Sequence, residues 1–392
     1  MPSGTDALPS RWRAAVIILA FPVLAFFAFT QTLAIVVESR APDKAAAVAP
    51  WDGSAGAHLA KAAYRGEFAA SPEAAIPPSD EVVTLAREAY KRQPLVPGAL
   101  AVLGAAMPAY DKAAFWKAAA SISRRDTLLQ GSLLNFYLQA DDLDRSIRVL
   151  NQILLVRVDQ RRAAYAALTQ ALHDTRSTDT FVDILKSGPD WGNGFLIAAS
   201  RDNQALANLG LIRARLPDAA IDPETDRVLV DAFAKSGELD LAYDLYSRLS
   251  SERPAAQDWY SEIPPFDWHF ANEPGFGAQL IGSSDHLQVN IARGKGGVFA
   301  RRIVPARSES LSIRGQYDLK PPQQSDRLEI SASCVGANAP LAQANFANGK
   351  ILLDTALPAG CGFVEISLSG RIWSEGEGIN GSIAPLTISY NE

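Results

Sequence analysis

A chain of 392 residues with a net charge of −6 and an isoelectric point near 5.4 shows no basic stripe for neutralising phosphates, which argues against nucleic acid as a partner. Its four histidines are scattered, with no HExxH pair to hold a metal and no GxSxG elbow to present a serine. No cofactor, metal or catalytic group is therefore expected, and the chain reads as a non-enzyme.

The run Ala14–Val37 is free of charge and follows Arg11 and Arg13. It outlasts the roughly 7–15 apolar residues of a signal peptide and suffices for a bilayer core, so it reads as a retained transmembrane anchor that tolerates Pro22. Positive charge resists translocation, which keeps residues 1–13 as a cytoplasmic tail and exports everything after Val37. The expectation is a single-pass inner-membrane protein with its bulk in the periplasm. Residues 38–48 then read as an Ala- and Pro-rich linker, within a spacer-like stretch that includes Pro42, Pro50 and Pro72. Ala57–Ala63 has the composition of a short helix ending near Gly66.

Residues 49–258 read as a helical repeat domain. Val82, Leu85, Ala86 and Ala89 form an apolar stripe opened by Ser79 or Asp80 as N-cap; Leu100, Leu103 and Ala106 form the next, and Ala114, Phe115 and Ala118 a third. Sliding Leu133–Leu154 by 96 residues onto Leu229–Leu249 pairs Tyr137 with Phe233, Leu143 with Leu239, Ser146 with Ala242 and Val149 with Leu245. Helix, tight turn and helix again resembles the tetratricopeptide repeat, which Gly237, Ala242 and Tyr243 match and Asp141 and Ser146 do not. Stacked hairpins of this kind make a solenoid that docks partner proteins. Asp141, Asp142 and Asp144 read as helix capping, and Trp191 as a plug where SGPDWGNG breaks the period.

From residue 259 to 392 the period becomes two: Leu287, Val289 and Ile291; Leu311 and Ile313; Leu328, Ile330 and Ala332; Val364, Ile366 and Leu368; Leu386, Ile388 and Tyr390. Roughly eight such strands suit a jelly-roll-like antiparallel β-sandwich. Both cysteines, Cys334 and Cys361, fall here, and an even count in one exported module suggests a disulfide. Cys361 breaks the parity of Val364 and Ile366, so a bulge or the approach to a strand has to turn it inward. Arg301, Arg302 and Arg307, with Asp285 and Glu309 close in sequence, read as a solvated strand edge, and the RGKGG loop lacks phosphate-loop spacing.

Pro264-Pro265-Phe266-Asp267-Trp268, after a degenerate helical array and before two spaced cysteines, resembles a family of uncharacterised proteobacterial tetratricopeptide-containing proteins with one N-terminal anchor, associated with exopolysaccharide and cell-envelope gene neighbourhoods. The resemblance implies a carbohydrate-binding-like sandwich, an envelope protein partner and a polysaccharide ligand. The chain lacks the Asn-Gly-Gly-Phe stretch before PFDW and the Trp shortly before the first Cys that similar proteins carry.

Sugars stack their C–H faces on aromatic rings and hydrogen-bond to amides and carboxylates. Trp268, Trp373 and Tyr317 are the aromatic candidates, and Asp267 and Asn380 the polar ones. Against this, buried aromatics being the common case, Trp268 reads as packing at the seam between the helices and the sandwich, and Trp373 as sandwich core. His269 reads as a half-exposed strand residue with a hydrogen-bond partner, and Glu375 and Glu377 as a solvated hairpin tip. The leading expectation is a membrane-anchored scaffold for envelope polysaccharide assembly. The alternatives are a glycan-active enzyme working through the β loops and a protein-only assembly factor.

Overall fold

A computed structural model describes residues 10–70, 77–250, 259–280 and 286–391. The tail up to residue 9, Pro72 and Asp285 lie outside them. The apolar run folds as α1 (Ser10–Val37), with Pro22 inside it. Its segment Ile18–Val37 has a mean hydropathy of 2.0 and is long and apolar enough to cross a membrane, about 30 Å at the helical rise. A signal sequence near an N-terminus satisfies the same criterion. Both threonine hydroxyls in the helix bond to its own backbone: Thr30 Oγ1 donates to the Phe26 carbonyl at 2.9 Å and Thr32 Oγ1 to that of Ala28 at 2.7 Å.

The chain divides into two compact units, Met1–Ala171 and Leu172–Glu392. The first is helical: α2 (Pro42–Val48), α3 (Gly53–Ala70), α4 (Asp80–Arg92), α5 (Pro97–Ala106), α6 (Ala109–Ile122), α7 (Thr127–Gln139), α8 (Leu143–Val156) and α9 (Arg161–Ala171) follow α1. Residues 38–48, read as a linker, thus carry a helix. Ala34 at the end of α1 packs with Ala45, Ala49 and Ala55, all fully buried, so small residues let three helix ends approach closely. Helix α3 runs through Gly66, where a Cβ would meet nothing within 4 Å and the glycine is not needed for a stop. Ser79 caps α4, accepting from the Val82 N–H at 3.4 Å, and Pro97 opens α5 at a position whose N–H has no helical partner. Asp126 caps α7 through the Leu129 N–H at 2.9 Å and pairs with Lys61 Nζ at 2.6 Å, tying α7 to α3. Trp116, Leu100, Leu129, Leu133 and Val149 form the core between these hairpins.

The second unit starts with α10 (Thr178–Leu185), α11 (Gly192–Ala199), α12 (Leu206–Arg215), α13 (Pro223–Ser236) and α14 (Leu239–Leu249). Trp191 is buried edge-on to Phe195, which stacks on Phe181. Arg213 is 2% exposed: Nε and Nη2 donate to the two oxygens of buried Asp226 at 2.6 and 2.7 Å, Nη2 also to Asp218 at 2.8 Å, and Nη1 to the Leu216 carbonyl at 3.1 Å.

The turns of the two look-alike hairpins match bond for bond. At the end of α13, Gly237 N–H donates to Ala234 O and Glu238 N–H to Phe233 O; at the end of α7, Asp141 N–H donates to Leu138 O and Asp142 N–H to Tyr137 O. Both turns need a left-handed residue, and the chain supplies Gly237 at φ 89° and Asp141 at φ 53°. Asp141 therefore occupies the glycine position, since Asp tolerates this region better than most side chains. Gly237→Ala, with no neighbour within 4 Å of the new Cβ, is expected to cost about 1 kcal/mol from backbone strain alone. Chemical denaturation of the two proteins measures it.

The rest of this unit is an antiparallel β-sheet region: β1 (His269–Phe270), β2 (Asn272–Glu273), β3 (Phe276–Leu280), β4 (Leu287–Ile291), β5 (Gly296–Pro305), β6 (Ser310–Lys320), β7 (Leu328–Cys334), β8 (Ala342–Asn345), β9 (Lys350–Ala356), β10 (Phe363–Arg371), β11 (Ile379–Ile383) and β12 (Thr387–Asn391). One sheet has the order β1-β5-β10-β7-β8. In the other, β2-β3-β4-β11-β6 continue one another, β9 lies on the far side of β6, and β12 pairs with the first half of β6. Leu287, Val289 and Ile291 of one sheet share a core with Ile330, Ala332, Ile366 and Leu368 of the other. Cys334 and Cys361 stand at disulfide distance, their Cα atoms 5.6 Å apart. Cys361 lies in the turn that leads into β10, with its N–H donating to Pro358 O, so strand parity does not govern its direction.

Candidate functional site

The PFDW segment is structural. Asp267 is 1% exposed; Tyr246 Oη of α14 donates to its Oδ1 at 2.8 Å and the Ile263 N–H to its Oδ2 at 2.9 Å. Trp268 is 2% exposed and leans on Trp259 with ring centroids 4.7 Å apart. Phe266 meets Tyr243 and Tyr246 of α14 and Phe363 of β10. Burial leaves Trp268 no face for a pyranose, and the Asp267 carboxylate is committed to the fold, so both leave the set of glycan candidates. Tyr317 points to the core side of β6, its ring 5.2 Å from Phe346, and is half-buried. Trp373 is not in the core: Ile372 takes that place, and Trp373 is 60% exposed with the Arg371 guanidinium 5.4 Å from its ring centre. These four and Asn380 do not converge on one pocket.

Asn380 leads to a different site. On β4, Leu287, Val289 and Ile291 are fully buried, so Gln288 and Asn290 face outward. Strand register then sets Asn290 opposite both Gly277 of β3 and Asn380 of β11, and Asn380 opposite Lys320 of β6. The neighbouring row runs Gln279, Gln288, Ser382 and Asp318. Paired Cα atoms in such rows are about 4.5–5.5 Å apart, close to the length of one pyranose unit along a glycan chain. Among the described residues, none of these side chains has a hydrogen-bond or ion-pair partner. Carboxamides and hydroxyls both donate and accept, which is what sugar hydroxyls require, with Asp318 and Lys320 adding one charge of each sign. At the flank of this face Arg314 holds Asp354 at 2.7 and 2.8 Å, and this hydrogen bonding keeps the Asp354 carboxyl below its usual range.

The alternation Leu287-Gln288-Val289-Asn290-Ile291 carried the signal for this face, but the lateral row of amides depends on register between strands far apart in sequence. Two further readings change. Arg301 and Arg302 are not on an edge, because β5 lies between β1 and β10. His269 is exposed, and among the described residues its ring has no hydrogen-bond partner. Glu375 and Glu377 are exposed in the turn before β11, and among the described residues no group of three or more His, Cys, Asp or Glu is placed to hold a metal ion.

No family model and no curated protein matches the chain. One solved structure to which it is similar is a family GH115 4-O-methyl-alpha-glucuronidase with specificity for decorated arabinogalactans, at 9% identity, with 67% of this chain and 42% of that chain covered and a TM-score of 0.20. The chain thus spans less than half of that structure's length, and a likeness at this score carries no argument about fold or activity.

Proposed function

We propose that this protein is an inner-membrane-anchored periplasmic binding protein that acts in exopolysaccharide or other envelope polysaccharide assembly. In this reading α1 is retained as the anchor, the helices form a tetratricopeptide-like solenoid that docks an envelope protein, and the sheets form a jelly-roll sandwich that contacts glycan. The matching turns 96 residues apart support the repeat reading. Strand orders β4-β11-β6-β9 and β5-β10-β7-β8 are those that two nested Greek keys produce, which supports the jelly roll.

The observation that carries the glycan reading is the double row of uncommitted polar side chains centred on Asn290 and Asn380. Asn290→Ala/Asn380→Ala removes two exposed amides and is expected to weaken retention of envelope polysaccharide about thirtyfold, at roughly 1 kcal/mol per lost amide, with an unchanged circular dichroism spectrum. Affinity electrophoresis of the full-length protein in detergent, in gels containing the purified polysaccharide, measures it. Equal mobility shifts for wild type and variant would sink the assignment of this face.

A further inference from the structure

A cleft of about 310 Å³ in the second unit lies where α13, the Pro264-Pro265 segment and β5 meet. Pro264, Pro265 and Ile303 give it an apolar wall, and Arg301, Arg302 and His269 line it from the sheet. Pairing of β1 with β5 puts His269 directly beside Arg301. Arg302 spends one donor, Nε, on the Phe266 carbonyl at 2.6 Å, which fixes its guanidinium and leaves the two terminal nitrogens without a partner among the described residues. Arg301 has no hydrogen-bond or ion-pair partner among them at all.

The other charges around the cleft do not cancel these two. Lys235 and Asp231, both on α13, pair with each other at 2.7 Å. Glu365 accepts from Ser367 Oγ at 3.2 Å and makes no ion pair with either arginine. Among the carboxylates, lysine and arginines of the lining, positive charge is in excess by one. The unpaired Arg301 fork beside an apolar wall of this size suits a ligand with an oxyanion at one end and a C–H-rich ring at the other.

We propose that this cleft binds the carboxylate of an acidic sugar residue, with the pyranose ring lying on Pro264, Pro265 and Ile303. The inference rests on the reading of the β region as glycan-contacting, and specifies the class of glycan as polyuronate-like. Its place on β5 and β10 is separate from the amide rows of β3, β4, β11 and β6.

The test titrates the full-length protein in detergent with an alginate-derived tetrasaccharide and with the same tetrasaccharide after reduction of its carboxylates to alcohols. The acidic form is expected to bind at least tenfold tighter than the reduced form, and Arg301→Ala, a change at an exposed side chain, is expected to bring the acidic form down to the affinity of the reduced one. Arg302→Ala is left out because its Nε bond supports the Phe266 backbone. Equal binding of the two tetrasaccharides, or an unaltered preference in Arg301→Ala, overturns the cleft while leaving the amide face standing. Full displacement of the acidic tetrasaccharide by an equal concentration of inorganic phosphate also overturns it, since the apolar wall would then contribute nothing. Binding of neither tetrasaccharide by the wild type also overturns the cleft, and the glycan reading itself falls only if the wild type is not retarded by envelope polysaccharide either.

Discussion

Arg213→Met is expected to destabilise the second unit by about 3–5 kcal/mol, the usual cost of removing one member of a buried ion pair. Asp226 would remain inside the helical core with neither of its two guanidinium bonds, and the Leu216 carbonyl would lose its donor as well. The double change Arg213→Met/Asp226→Leu is expected to recover most of the loss, because an apolar pair of similar volume does not have to be desolvated as ions. Denaturant unfolding of the wild type and both variants measures this; a single variant within 1 kcal/mol of wild type would show that the pair contributes little. Asp218 adds a pH dependence. Its hydrogen bond from Arg213 holds the carboxyl below its usual range, against a smaller opposing push from burial. A carboxyl depressed in the folded state stabilises fully above its ordinary value of 3.8, and the contribution is lost as pH falls through the lower folded value. Acid unfolding of Asp218→Asn is expected to lack that step, and its stability at neutral pH to fall by the same small amount, because the Asp218 side chain is 70% exposed.

Replacing both Cys334 and Cys361 by Ala is expected to cost about 3.5 kcal/mol if the chain-entropy model holds for the loop between them, which spans 27 positions. For a unit of this size that corresponds to a fall of about 10 °C in Tm. The same shift is expected on adding reductant to the wild type and not to the double variant. Maleimide labelling of the unreduced protein provides the check: two reactive thiols in the native chain would remove the premise. The loop contains β8 of one sheet and β9 of the other, so the link spans the crossover between them. Reductant is therefore expected to loosen the β9 edge before the central β10.

The parts legible in the sequence were those with a local cause. Helices α4 to α6 follow from three-and-four spacing, with Ser79 as the cap of the first, and β4, β6, β7 and β10 from alternation. Helix α2 was missed because an Ala-rich stretch without large apolar residues has the composition of a spacer; its helix is stabilised by Ala34 and Ala55, outside the stretch itself. Trp373 was misplaced because Ile372, one residue earlier, takes the buried position at the end of β10. The candidate site was legible only as single residues. Asn380 by itself meant little until register aligned it with Asn290 and Lys320, and register is set by packing at a distance. Asp267 and Trp268 were found for their chemistry, but that chemistry serves the interior.

The Asp267 carboxylate has a thermodynamic consequence. By joining a tyrosine of the last helix to a backbone amide just ahead of the first strand, inside a shell of Tyr243, Phe266 and Phe363, it makes the melting of α13–α14 and of the sheets a shared event. Calorimetry should then record one transition for residues 172–392, and the Ile263 amide proton should exchange as slowly as those at the centre of β10. A fragment cut between the last helix and the first strand would divide a cooperative folding unit, and neither piece would keep its native melting behaviour.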